Sequence, residues 1–158
     1  MASLRDAGIP AEAVRAYLEE LGMPRHDVHL DLARIRRLSV QAVAAMSDED
    51  LSRRVGVPVE LGPALRGARD LNEAREYARQ ILEPEPVKLP AEARPTLERF
   101  KELSDGDARQ SVRELKAVGG DLRALRLALT GRERGPELWT IVAALPRREA
   151  LRRIDEAL

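Results

Sequence analysis

The chain has 158 residues, enough for one domain or two small ones, and its 27 basic and 27 acidic residues cancel to zero net charge. That balance excludes a whole-chain electrostatic footprint for nucleic acid, so RNA contact would need a local basic face. The lack of cysteine excludes disulfides, thiolate metal sites and a cysteine nucleophile, and no apolar run approaches the about 18–20 residues of a membrane span.

A cysteine-free chain without a basic, then apolar, leader is expected in the cytoplasm. The aromatics are Trp139, Tyr17, Tyr77 and Phe100, so the core must be aliphatic, which suits helix-on-helix packing. Lysine occurs only at Lys88, Lys101 and Lys116, and every other cation is arginine, a planar fork suited to phosphates and base edges.

Pro10 opens the first expected helix and Gly22 follows its end, with Val14, Tyr17, Leu18 and Leu21 forming one apolar face. Pro24 stops its continuation. His26 and His29 follow, but a loop H-x-x-H pair with no third ligand in sight reads as structural or exposed rather than as a metal site. Asp31 or its neighbour starts a second helix, with Leu32, Ile35, Ala42, Val43 and Met46 on one face, Leu38 beside them, and Arg34, Arg36 and Arg37 off it. Ser47, with Asp50 three residues on, resembles a capping box before a short helix that carries Leu51 and Val55 and stops at Gly56. Asp70 and Glu73 repeat the pattern before the most regular stripe in the chain: Leu71, Ala74, Tyr77, Ala78, Ile81 and Leu82.

Between Glu83 and Pro95, prolines 84, 86, 90 and 95 disfavour helix and predict a stiff, extended linker. The expected division is therefore 1–30, 31–83, a linker at 84–95, and 96–158. Leu97, Phe100 and Leu103 mark a further helix. Asp107, with Gln110 three residues on, caps another that carries Ala108, Val112, Leu115 and Val118.

The last stretch reads as three short helices with explicit stops. Asp121 is an N-cap after Gly119-Gly120, and Gly131 ends that helix. Pro136 suits the first turn of the next helix, and Pro146 that of the last. The stripes are Leu122, Leu125, Leu129; then Leu138, Ile141, Val142, Leu145; then Leu151, Ile154, Leu158. No segment sustains period-2 alternation and no tandem repeat appears. The expected fold class is all-α: two small helical subdomains joined by a Pro-rich linker.

No phosphate-cradling glycine loop of either common pattern is present, nor a nucleophile elbow. Nearly all carboxylates fall on polar helix faces or in caps. No catalytic residue, cofactor site or metal site is expected within the chain.

LRALRLALTGRERGPELW, residues 122–139, resembles the C-terminal anticodon-binding part of glutamyl-tRNA synthetases. That family repeats, in order, an Arg, a small apolar step, Ala-Leu-Thr-Gly, a turn with Pro, and Leu-aromatic. Here these are Arg126, Leu127, Ala128-Leu129-Thr130-Gly131, Pro136 and Leu138-Trp139. The closing EALRRIDEAL is similar to the family's usual end. SLRDAGIPAEAVRAYLEELG resembles the segment on the stem-contact side, and ALRGARDLNEAREYARQIL the helix pair of the first anticodon-binding subdomain. Ala16 and Met23 depart from the family's Asn and Trp. Gly135 stands where the family can place a side chain that touches an anticodon base.

The resemblance implies tRNA of the Glu or Gln type as partner, and Arg123, Arg126, Arg132, Arg134, Pro136 and Leu138 as the tRNA-binding residues. Arg123 and Arg126 lie one turn apart on nearly the same side of a helix, and the stretch from Lys116 to Arg134 is locally basic. It would hold anticodon-loop phosphates while splayed bases meet an apolar ledge of Pro136 and Leu138. The family's catalytic half has no counterpart here, since the sequence begins about where the second ATP-site loop would end. ATP and Mg would enter only through that missing domain, supplied upstream or by a separate catalytic chain. The alternative is an all-α interaction module, or a truncated synthetase remnant, without RNA binding.

Overall fold

The computed structural model describes residues 3–23, 26–103 and 106–158, and among these it is entirely helical. Pro24, read as a stop, lies outside the described residues. By internal contacts the chain divides into two units, Met1–Glu76 and Tyr77–Leu158.

In the first unit, α1 (Ala11–Leu21) packs on α2 (Leu32–Ala45). Gly22, with φ of 63°, ends α1, and the Asp31 carboxylate caps α2 by accepting from Arg34 N. The Tyr17 hydroxyl accepts from Asp31 N at 2.9 Å and so ties the two helices at the cap. The face α1 buries differs from the expected one. Ala13 and Tyr17 meet Ile35 and Leu38, whereas Val14 is half-buried and Leu18 is 57% exposed. The buried stripe is turned by about one residue from the expected one, with Ala16 and Leu21 packed against the same cluster.

α3 (Asp48–Val55) begins at the Ser47 cap, whose hydroxyl accepts from Asp50 N, and ends at left-handed Gly56. A 3₁₀ turn at Val59–Leu61 and α4 (Gly62–Leu65), neither marked by periodicity, then pack on α3. A Cβ on Gly62 would sit 2.5 Å from that of Asp48, so glycine permits the approach. α5 (Leu71–Leu82) starts at Asp70, which accepts from Glu73 N, and the division between units falls within it.

In the second unit, residues 84–90 are free of helix as the prolines predict, whereas 91–95, also expected in the linker, are helical because Pro95 fits the first turn of a helix. The helix-free part is also fastened: Glu85 N donates to Thr130 O at 3.2 Å and Leu89 N to Ala157 O at 2.9 Å. After a 3₁₀ turn at Ala91–Ala93 come α6 (Arg94–Glu102), α7 (Ala108–Ala117), α8 (Leu122–Thr130), α9 (Leu138–Ala144) and α10 (Arg147–Ala157). α6 and α10 pack on α8, and α9 packs on α7. Leu97, Phe100, Leu115, Leu125, Leu129, Ile141 and Ile154 are completely buried. Burial of each such side chain contributes roughly 1.5–3 kcal/mol, which fixes the bundle that carries the loops. Val118, expected in the α7 stripe, is the residue that caps the end of α7, its N–H donating to Glu114 O, and is 67% exposed. Gln110 binds Glu114 rather than closing a capping box on Asp107.

Candidate nucleic-acid interface

α8 and the turn after it are built by local chemistry. Asp121 N donates to Thr96 Oγ1 at 2.8 Å, and the Asp121 carboxylate accepts from Ala124 N at 3.0 Å, which starts the helix. Ala128 and Leu129 face the core. The buried Thr130 hydroxyl donates to Arg126 O at 2.9 Å and accepts from Arg132 N at 3.1 Å. Gly131, with φ of 71°, donates to Leu127 O and closes the helix. A Cβ there would stand 2.3 Å from the backbone oxygen of Glu85, so the close approach excludes any other residue. The Ala-Leu-Thr-Gly run is thus a folding device that caps α8 and clasps the Pro-rich strand.

Arg123 and Arg126 both reach toward the 132–136 turn, as their spacing implies. Arg123 is exposed and pairs with the Glu133 carboxylate, which holds its pKa above the usual arginine value. Arg126 is half-buried and donates from Nη1 to Pro136 O at 2.7 Å. Burial lowers its pKa, but a guanidinium stays charged across the range in which the protein is folded. Arg132 pairs with Glu85 at 2.5 Å. Arg134 is exposed and has no hydrogen-bond or ion-pair partner among the described residues.

The expected apolar ledge is not formed. Pro136 is buried and Leu138 is 8% exposed, both turned inward. Leu138 shares a helix face with the fully buried Ile141, three residues on, so the apolar stripe of α9 takes it into the core; Glu137, not Pro136, is the N-cap. Pro146 likewise precedes the first turn of α10 as its cap. Gly135 is crowded, since a Cβ would lie 2.3 Å from Gln80 Oε1 and 3.5 Å from Arg126 Nη1. Arg126, Pro136 and Gly135 therefore form a packed hinge under the turn, with Arg123, Arg132 and Arg134 around it.

A second set of cations escaped the sequence reading except for Lys116. Arg109, Arg113 and Lys116 are exposed on α7 at spacings of four and three, which place them along one side of the helix. Arg109 lies over the Trp139 ring, 3.9 Å from its centroid, because α7 packs on α9. Arg113 and Lys116 have no carboxylate partner among the described residues. The spacing was visible in the sequence; the stacking on Trp139 was not. His26 and His29 are both exposed, and among the described residues no three His, Asp or Glu side chains cluster to hold a metal ion. Among the same residues no helix is long and apolar enough to cross a membrane.

No family model matches the chain. Glutamate–tRNA ligase 1 of Methylobacterium sp. (strain 4-46) is 27% identical over 189 aligned residues, covering 92% of this chain and 40% of that protein. A solved glutamate tRNA ligase from Elizabethkingia meningosepticum CCUG26117, in complex with its amino acid, matches 99% of this chain and 42% of its own. The TM-score is 0.71 at 16% identity, a likeness of fold. The chain spans less than half the length of these relatives, and along nearly all of its own length it resembles glutamate–tRNA ligases.

Proposed function

We propose that this chain is the tRNA-binding, anticodon-recognising portion of a glutamate–tRNA ligase, acting in tRNA aminoacylation in the cytoplasm. It is not catalytic alone, and ATP and Mg belong to a catalytic domain joined to it or supplied as a separate chain. The observation that carries this reading is the sequence match to a glutamate–tRNA ligase across 92% of the chain.

Within that reading the cations divide by their engagement. Arg134, Arg113 and Lys116 are free to neutralise phosphates at once. Arg123 and Arg132 sit in solvent-screened carboxylate pairs, which a phosphate can replace at little cost. Arg126 holds the turn by its bond to Pro136 O and acts on RNA by positioning its neighbours. Trp139, half-buried beneath Arg109, offers an edge for an unstacked base. Pro136 and Leu138 shape this surface from beneath.

Fluorescence anisotropy with labelled tRNA of the Glu type, over a series of KCl concentrations, tests the proposal. Affinity should fall steeply with salt as counterions are released, and the triple variant R113A/K116A/R134A should reduce the log–log slope by about 2–3. Coincident curves for the two proteins would remove these residues from the interface. A Gln-type tRNA in the same titration distinguishes the two isoacceptors.

A further inference from the structure

We propose that a groove beside α1 in the first unit is a docking site for a protein segment carrying an aliphatic or aromatic residue flanked by carboxylates. The groove encloses about 540 Å³, within the size range of ordinary ligand sites. Its floor is aliphatic: Leu4, Ile9, Val14, Leu18 and Leu71. Val14 and Leu18 belong to the stripe that helical spacing assigns to a core. Because α1 presents Ala13 and Tyr17 to α2 instead, that stripe is left facing the groove.

The charge around this floor has one sign. Four arginines, Arg5, Arg15, Arg54 and Arg75, line the groove, and no carboxylate does. Arg54 is neutralised by Glu12 and Asp50, and Arg75 donates to the neutral Asn72 Oδ1 at 3.0 Å. Arg5 and Arg15 are exposed and have no hydrogen-bond or ion-pair partner among the described residues. Guanidinium groups beside an apolar floor complement carboxylates beside an apolar side chain, through charge-assisted and often two-pronged hydrogen bonds.

The wall is preformed. Leu71 N donates to Gly8 O at 2.9 Å, and Asn72 Nδ2 to Asp6 O at 2.8 Å. Gly8, with φ of 76°, lies so near that a Cβ would stand 2.6 Å from Asn72 N. The segment before α1 is thereby clamped to the start of α5, and an occupant binds without first ordering the site. The lining favours protein over RNA. It contains no aromatic ring on which a base would stack, and a phosphate alone would leave the aliphatic floor wet.

Panning a random dodecapeptide phage library on the full chain tests the proposal, with selected peptides resynthesised and measured by anisotropy. The expected peptides carry Leu, Ile or Phe between Asp or Glu residues. The R5A/R15A double variant should weaken them about tenfold or more, through loss of two charge-assisted contacts. Leu18→Gln should weaken them as well. These side chains are exposed, so circular dichroism and the urea midpoint serve as controls for folding. Selected peptides without that pattern, or equal affinity for wild type and double variant, would overturn it. So would a double variant that lowers only tRNA affinity, which would make the groove an RNA surface. A concentration-dependent dimer in light scattering that Leu18→Gln abolishes would instead assign the groove to a second copy of this chain.

Discussion

The two units use arginine differently. In the first unit the guanidinium groups turn sideways to carboxylates at the surface: Arg34 to Glu20, Arg54 to Glu12, Arg66 to Asp48, Arg69 to Glu73. In the second unit several turn inward to backbone carbonyls. Arg147 Nη2 reaches Phe100 O and Lys101 O at 3.0 Å and Leu103 O at 2.7 Å, at the end of α6. Arg153, 6% exposed, donates to Leu129 O at 2.7 Å near the end of α8. Arg126 also donates to a carbonyl, Pro136 O, which lies in the turn before α9 rather than at a helix end. The last carbonyls of a helix have no partner within it, and a cation there also meets the negative end of the helix dipole. In the second unit the same residue type therefore serves both as a structural cap and, at Arg123 and Arg152, as a solvated pair, so abundance of arginine alone does not identify a binding surface.

Substitutions can break or sharpen this contrast, and each is read by urea unfolding. The largest effect is expected for Arg147→Met, which strips three carbonyls of a charged donor and removes a ring contact 4.8 Å above Phe100. A loss of about 2–4 kcal/mol is expected, and a loss under about 0.5 would show that water replaces the cap freely. Arg153→Met should cost about 1–3 kcal/mol, because Leu129 O is left without this donor and Glu149 without one of its two cations. Arg126→Met should cost about 1 kcal/mol and also lower tRNA affinity by loosening the 132–136 turn. If stability falls with affinity unchanged, the turn does not touch RNA.

Acid titration separates the pairs from the caps. Arg152 and then Arg153 hold the Glu149 carboxyl at about 2, below its ordinary 4.5. A carboxylate with a depressed folded-state pKa stabilises fully above the unfolded value. That contribution fades as pH falls from about 4.5 toward 2, where the folded form also binds its proton. Between those limits wild type should lose stability faster than Glu149→Gln, and parallel curves would refute the assignment. The smallest effect is expected for Arg66→Ala, an exposed arginine paired with the half-buried Asp48 at the surface: about 0–1 kcal/mol, vanishing at high salt.

Punctuation was readable from the sequence because it is local. Asp31, Ser47, Asp70 and Asp121 cap helices through bonds to residues three positions away, and Gly22, Gly56 and Gly131 end them by adopting positive φ. The short helices at 59–65 were missed because neither carries a periodic stripe. Faces were less legible. Tyr17 is core while Leu18 is solvated, and Val118 is exposed where the stripe placed it inside. A stripe two residues wide does not say which edge a neighbour will cover.

The candidate site shows the same limit. The basic character of Lys116 to Arg134 follows from composition, but which cations are engaged does not. Glu85 takes Arg132 from some 47 residues away, and Trp139 lies under Arg109 from 30. Pro136 and Leu138, expected to face bases, are buried, Leu138 beside Ile141 on the core face of α9.

What the sequence alone determined is the all-helical class, the positions of most caps and stops, the break in helix over the first part of the Pro-rich stretch, and the resemblance to glutamate–tRNA ligases. Each rests on bonds within one turn of the chain, on backbone restriction, or on residue order. What only the tertiary structure decided is which side of each helix is buried, which arginines are already held, and where an apolar floor with unmatched positive charge is left open. Those depend on partners dozens of residues apart, and no local pattern encodes the distance between them.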